Sequence, residues 1–162
     1  MTNDIRLQPI GVVHSPFTES TGTPVQPRTA EGTVATAEID SQYADGLWRL
    51  EGFERVWLVT WLDRSAAYRL RVKPYLADIE CGVFATRAPS RPNPIGLSCV
   101  RLVRIEGTTL HLAEVDLLDG TPLLDIKPYA PRFDCYPAAC AGWVDDVTLD
   151  DQTADGRFEE RC

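Results

Sequence analysis

The sequence predicts a mainly β domain whose sheet closes or folds over on itself, with one short helix. Three observations lead there. Apolar and polar residues alternate with a period of two from residue 97 onward, and five earlier segments are rich in branched and aromatic residues. Neither a glycine-rich GxGxxG fingerprint nor a GxxxxGK[ST] phosphate loop occurs in the chain.

In chain order, QPIGVVHS (8–15), TVATAEI (33–39), RVWLVTWL (55–62), YRLRV (68–72) and GVFA (82–85) read as short strands. The helical stretch lies at about 41–51, where Tyr43, Leu47 and Leu50 fall near one face and Asp40 or Ser41 stands where a cap is needed. It is expected to cover one end of the sheet. In 97–118, Leu97, Cys99 and Arg101 interleave with Ser98, Val100 and Leu102. Leu110 and Leu112 then alternate with His111, and Val115 and Leu117 with Asp116, while EGTT (106–109) supplies hairpin residues. Two antiparallel strands follow from this pattern. Trp57 and Trp61 share a strand face, which is expected to be core. His111 reads as a surface residue.

No repeat or Gly/Ser-rich linker divides the chain, so residues 1–148 are expected to form one domain followed by an acidic tail, 149–162. VDDVTLDDQTADGRFEE (144–160) is strongly acidic and is expected to be a solvated edge or a loosely held segment. The formal charge of −8 argues against broad, non-specific nucleic-acid binding, which draws its energy from Lys and Arg on phosphates, although a local basic patch is compatible with it. No apolar run approaches the roughly 20 residues of a membrane span. MTNDIRLQPIG also lacks the basic and apolar regions of a secretion signal, so a cytoplasmic protein without a membrane segment is expected. Five cysteines without a CxxC pair, and two histidines, suggest neither a metal site nor a disulfide framework.

Prolines cluster in three loops, at 24–27, 89–94 and 122–131, and ligands are usually gripped by loops on a stiff frame. TRAPSRPNPIG (86–96) holds Arg87 and Arg91, whose guanidinium forks suit carboxylates and phosphates, and Asn93, whose amide both donates and accepts. Pro92 and Pro94 restrict the backbone on either side of Asn93. On these residues alone the loop is either a rigid turn or a preorganised site. DGTP (119–122) is a strong turn signal, and beyond it Asp125, Lys127 and Tyr129 alternate along a strand and share a face. TPVQPR (23–28) is a weaker signal, and Asp63-Arg64 ends the apolar run after Trp61-Leu62, where it can face a ligand.

Taken together, IGVVHSPF (10–17), GVFATRAPSRPNPIGLS (82–98) and DLLDGTPLLDIKPYAPRFD (116–134) closely resemble the TrmO family, also called TsaA-like or YaeB-like, over roughly residues 5–145. The resemblance implies a β-barrel-like, non-Rossmann domain that binds S-adenosylmethionine, usually as a homodimer, with this chain a short member. It also implies N6 methylation of N6-threonylcarbamoyladenosine beside the anticodon of tRNA. Carried over by position, the cofactor contacts are Gln26, Pro27 and Arg28, Asp63 and Arg64, Arg87, Leu97, and Asp119, Gly120, Thr121 and Pro122. Two departures stand out: Arg28 replaces a glycine frequent in longer members, and Asp63-Arg64 replaces His-Gln.

Methyl transfer from a sulfonium is an in-line displacement limited largely by alignment, and positioning contributes on the order of 7–11 kcal/mol in favourable models. The N6 proton, acidified by the neighbouring carbamoyl carbonyl, needs one acceptor. Asp125 and Tyr129 are the candidates for it, with Lys127 or Arg91 holding the threonyl carboxylate and Asn93 orienting the base edge. A dimer is expected to gather Arg6, Arg64, Arg69, Arg71, Lys73, Arg87 and Arg91 on a tRNA-facing surface, away from the acidic tail. Two further readings stay open: a paralogue that methylates a small molecule, and a non-catalytic sensor of S-adenosylmethionine or nucleotide.

Overall fold

A period-two pattern sends every second side chain to the same side of a sheet, and in this chain that side closes on itself. The computed structural model describes residues 4–148 and 153–158. In chain order the strands are β1 (Gly11–His14), β2 (Val34–Ile39), β3 (Arg55–Trp61), β4 (Arg71–Val72), β5 (Cys81–Gly82), β6 (Ile95–Glu106), β7 (Thr109–Ala113) and β8 (Thr121–Pro128). Six of them form a closed antiparallel barrel in the order β1-β2-β7-β6-β3-β8, with β8 pairing back onto β1, while β4 and β5 form a separate ribbon. The barrel interior is filled by Val13, Ala37, Val56, Leu58, Val100, Leu110, Leu112 and Leu123, all buried. Closure leaves no sheet edge to protect.

Both members of the expected 97–118 pair are present, as β6 and β7 turning at Gly107-Thr108, with Ser98, Val100 and Leu102 directed inward. The second is shorter than its alternation suggests. Glu114 takes a left-handed φ of 61° and ends β7, so Val115 and Leu117 are buried from a connecting segment rather than from a strand. GVFA is likewise no strand: β5 stops at Gly82, and Val83–Ala85 form a 3₁₀ turn. YRLRV contributes only Arg71 and Val72 to a strand.

The segment after β2 is helical but of the tighter 3₁₀ kind, over Ser41–Leu47 and again over Leu50–Gly52. Arg49, at φ 68°, breaks the two apart, and Asp40 occupies the cap position without a side-chain hydrogen bond. Leu47 nevertheless enters the barrel core with Tyr43 and Leu50 packed beside it, so the segment covers one end of the barrel. Among the described residues the single α-helical turn is Pro131–Asp134.

Trp57 and Trp61 correct an expectation. Along β3 it is Val56, Leu58 and Thr60 that are buried, which places both tryptophans, with Val59, on the outer wall, half-buried. A narrow six-stranded interior accommodates aliphatic side chains and leaves the two indoles outside.

A second, smaller cluster forms outside the barrel from Val72, Val83, Ala88 and Phe158, with Tyr75 against it. Residues 153–158 are therefore docked through Phe158 and their backbone, although Thr153, Asp155, Gly156 and Arg157 remain exposed. Thr153 bridges Pro24, Ala154 exchanges backbone hydrogen bonds with Gly22 and Thr23, and Phe158 O accepts from Ala66 N. Residues 149–152 and 159–162 of the acidic stretch lie outside the described residues. Among the described residues no helix is long and apolar enough to cross a membrane.

Candidate functional site

The strands end in alternate directions, so one mouth of the barrel receives the segments after β1, β3 and β7 and those before β2, β6 and β8. Those segments carry the proline clusters at 24–27 and 89–94, whereas 122–131, expected as a loop, runs along β8 and past its far end because Pro122 and Pro128 sit at the strand's two ends. Gln26 precedes the buried Pro27, which starts a 3₁₀ turn over Pro27–Thr29, and Arg28 is exposed. The Gln26 amide is oriented at both ends. Its Nε2 donates to Val25 O at 2.8 Å and its Oε1 accepts from Arg87 Nη1 at 2.7 Å. Arg87 thereby joins TRAPSRPNPIG to the 23–28 loop.

Asp63 and Arg64 follow β3 and face solvent at the same mouth. Leu62 N donates to Pro94 O at 2.7 Å, tying this pair to the segment around Asn93, and Arg64 Nη2 donates to Asp119 O at 2.5 Å. Asp119 begins the DGTP turn, in which Gly120 has φ 79°, a left-handed conformation that glycine adopts without steric cost. Thr121 is buried, its hydroxyl donating to Leu118 O at 2.7 Å, and Pro122 pairs with Val12 of β1.

The end of β1 holds this turn, a contribution that the proline count misses. Asp119 Oδ1 accepts from Ser15 N and lies 3.2 Å from His14 Nδ1, Ser15 Oγ donates to Leu117 O at 2.6 Å, and Asp119 N donates to Phe17 O. The Ser15 amide and then His14 hold the Asp119 carboxyl below the ordinary carboxylate range. The HSPF stretch within the first quoted motif is the signal that points to this support.

A second such pair is Ser98 and Asp116. Ser98 is buried on the inner face of β6, and its Oγ donates to Asp116 Oδ1 at 2.6 Å. Burial pushes the Asp116 carboxyl up to about 7, against the opposing effects of the Ser98 hydrogen bond and the Arg87 charge.

Arg91 and Asn93 differ in kind. Arg91 Nη1 donates to Thr86 O at 3.0 Å and Ala88 O at 3.3 Å, stapling its own loop, whereas Asn93 is exposed at the rim. The remaining candidates stand on the outer wall. Leu97, Val59 and Asp125 form one row across β6, β3 and β8, and Cys99, Trp57 and Lys127 form the next. Leu97 is 48% exposed. Lys127 Nζ lies 2.9 Å from Asp125 Oδ2, and Tyr129 packs edge-on to Trp57 with ring centroids 5.8 Å apart. Burial raises the Tyr129 phenol above its ordinary value, so it is protonated near neutral pH.

The structure thus joins Gln26, Asp63, Arg64, Arg87 and the 119–122 turn at one mouth, sets Leu97, Asp125 and Lys127 on the outer wall, and carries Tyr129 past the end of β8 to the opposite end of the barrel, where its N–H donates to Arg55 O at the start of β3. A groove of about 390 Å³ lies toward the other end, between the 3₁₀ segments and β8, with Tyr43, Leu47, Phe53 and Asp125 on its walls. It is largely apolar and touches none of the mouth loops. Among the described residues no group of three metal-ligating side chains occurs.

The family model of the tRNA-methyltransferase O N-terminal domain matches residues 12–135. A "Probable S-adenosyl-L-methionine-binding protein" of Pyrococcus abyssi is 44% identical over 156 residues, covering 95% of this chain and 85% of the relative. The human "tRNA (adenine(37)-N6)-methyltransferase" is 34% identical over 140 residues, covering 82% of this chain but only 32% of that protein. Among solved structures, TrmO from Pseudomonas aeruginosa superposes with a TM-score of 0.79 at 37% identity, covering 91% of this chain and 66% of that one. This chain therefore spans just under two thirds of that crystal-structure chain and about a third of the human protein.

Proposed function

This chain belongs to the tRNA-methyltransferase O family, and we propose that it is an S-adenosylmethionine-dependent methyltransferase acting on N6 of N6-threonylcarbamoyladenosine beside the anticodon of tRNA. The observation that carries this reading is the linked mouth. Gln26 to Arg87 and Arg64 to Asp119 O join loops distant in sequence into one rim of backbone and guanidinium groups, without a glycine fingerprint. Gln26, Pro27, Arg28, Asp63, Arg64, Arg87, Leu97 and residues 119–122 hold the cofactor, and Arg87 offers its planar fork to the methionyl carboxylate.

The cofactor supplies an electrophilic methyl group, and the chain aligns it with N6 and receives the N6 proton. Asp125 is the acceptor, since it shares a row with Leu97, while Tyr129, four residues further along, acts indirectly by packing on Trp57 of the neighbouring row. Lys127 holds the threonyl carboxylate and Asn93 the base edge. Arg91 acts indirectly by keeping its loop rigid.

Incubation with methyl-labelled cofactor and tRNA from cells with and without the threonylcarbamoyl modification, followed by digestion to nucleosides, tests the reading. Label is expected in methylated threonylcarbamoyladenosine from the first pool alone. Asp125→Asn is expected to slow transfer on the order of 10²–10⁴-fold with cofactor affinity unchanged, and Tyr129→Phe to slow it less. Full rates in both variants would remove these two residues from the mechanism. The name of the Pyrococcus relative, which states binding alone, favours the sensor as the second reading, and cofactor binding without transfer to any RNA or metabolite would select it.

A further inference from the structure

Phe84 is 76% exposed at the centre of the Val83–Ala85 turn, three residues before Arg87, and makes no ring contact among the described residues. A single exposed phenyl is ordinary on a loose loop, but this loop is fastened on both sides of the ring. Val83, Thr86, Ala88 and Ser90 are buried. Val83 N donates to Leu70 O and Thr86 Oγ1 to Val83 O, both at 2.9 Å. Trp143 Nε1 donates to Ala85 O at 2.8 Å and Arg91 Nη1 to Thr86 O at 3.0 Å. The ring is therefore held out to solvent from a fixed backbone, with only a few rotamers open to it.

The bond from Val83 to Leu70 lays the segment 68–73, YRLRVK, beside this turn. Tyr68 and Leu70 are 55% and 62% exposed. In a chain of charge −8 the segment carries three cations and no carboxylate. Glu80 lies 3.5 Å from Arg71 and Asp78 lies 2.7 Å from Lys73, whereas the exposed Arg69 side chain has no hydrogen bond or ion pair among the described residues. An apolar protein surface covering Phe84 would bury that guanidinium without a counter-charge. A single strand of nucleic acid satisfies both groups, its base on the ring and its phosphate on the cation.

We propose that Phe84 is a stacking platform for an unpaired base of RNA, with Arg69 on an adjacent phosphate. The inference rests on the tRNA reading above and deepens it. Three residues of chain span at most about 11 Å, so a base flanking the one at the mouth beside Arg87 reaches Phe84. Phe84 is thus a positioning residue that does not touch the reacting atoms. Every base has a face to stack, so the platform contributes affinity and register rather than sequence choice.

Steady-state methyl transfer to tRNA carrying the threonylcarbamoyl group tests this in Phe84→Ala, Phe84→Leu, Phe84→Tyr and Arg69→Gln. Phe84→Ala is expected to raise KM for tRNA on the order of tenfold, with a smaller change in kcat and with cofactor affinity retained. Phe84→Tyr keeps an aromatic face and is expected to retain the wild-type KM, whereas Phe84→Leu keeps only apolar bulk and is expected to behave as Phe84→Ala does. Arg69→Gln is expected to lower the slope of log KM against log salt by about 0.7, the effect of one phosphate on a single strand. A wild-type KM in Phe84→Ala would overturn the proposal. So would a Phe84→Leu variant as good as Phe84→Tyr, which marks an apolar contact, or a dimer that dissociates on Phe84→Ala in sedimentation, which assigns the ring to a second copy of this chain. If the wild type transfers no methyl group to tRNA, it is the tRNA reading that fails, and this inference falls with it.

Discussion

Replacing Phe158 by alanine removes the side chain that docks the segment 153–158 against the mouth loops. The ring is 9% exposed, packs with Val72, Val83 and Ala88, and meets Tyr75 edge-on at a centroid distance of 5.0 Å. Burial of this kind is lost at a cost of about 3–5 kcal/mol, and the rim position argues for the lower end. The aromatic pair accounts for about 0.5–1.5 kcal/mol of it. Because this cluster lies outside the barrel core, the loss is expected as local opening rather than global unfolding, and about 3 kcal/mol corresponds to roughly a hundredfold in the opening equilibrium. Gly22 N donates to Ala154 O at 2.8 Å and Ala154 N to Thr23 O at 2.7 Å, so these amides report the opening by hydrogen exchange. Their protection is expected to fall about a hundredfold, amides of β3 and β6 are expected to stay protected, and cofactor affinity is expected to fall as the 23–28 loop and Ala88 lose their support. Unchanged protection at Gly22 and Ala154 in Phe158→Ala would show that Phe158 does not hold the segment. A matching loss throughout the barrel would show that the opening is not local.

Gly96 lies in β6 opposite Thr60, and a Cβ there would run into the Thr60 hydroxyl and come within 3.0 Å of Leu62 Cδ2. Gly96→Ala is expected to cost about 1–3 kcal/mol in denaturant unfolding. Thr60 Oγ1 is buried without a hydrogen-bond partner among the described residues, so Thr60→Ala in the same chain is expected to recover much of the loss, and a neutral single variant would contradict the packing. Asp116 sets a pH dependence. Its folded value is about 7 against about 4 unfolded, so its contribution is fully present below pH 4 and is lost as pH rises through 7. Asp116→Asn is therefore expected to gain stability relative to the wild type, on the order of a few kcal/mol, between about pH 4 and about pH 8. A constant difference in urea unfolding across that range would contradict it.

Much of the barrel was legible because alternation survives wherever one face is buried, as in β6. The same rule states which residues share a face and is silent on which face is inside. The shared face of Trp57 and Trp61 reads as core, whereas the interior takes Val56, Leu58 and Thr60. GVFA shows a second limit, since a run of four apolar residues fits a turn as well as a strand, and Val83 is buried from a 3₁₀ turn. The 41–51 stretch kept its apolar face but not its regular form, because Arg49 reverses the backbone. Around the mouth, the proline clusters at 24–27 and 89–94 mark loops while that at 122–131 runs along β8, and the bonds between loops depend on closure of the barrel and leave no local trace. Asp116 leaves no sequence signal for a related reason. Between Val115 and Leu117 it read as the outward residue of a strand, and only the left-handed Glu114 turns that segment back over the mouth, where Ser98 meets it.

The proposed cofactor site is the set of linked loops at one mouth of the non-Rossmann barrel. Backbone chemical-shift mapping during titration with S-adenosylmethionine tests it most directly. Shifts are expected at Gln26, Arg28, Asp63, Arg64, Arg87, Leu97 and residues 119–121, with Tyr43, Leu47 and Phe53 in the opposite groove unmoved. Shifts confined to that groove, or binding at the mouth that survives Arg87→Ala undiminished, would contradict the account.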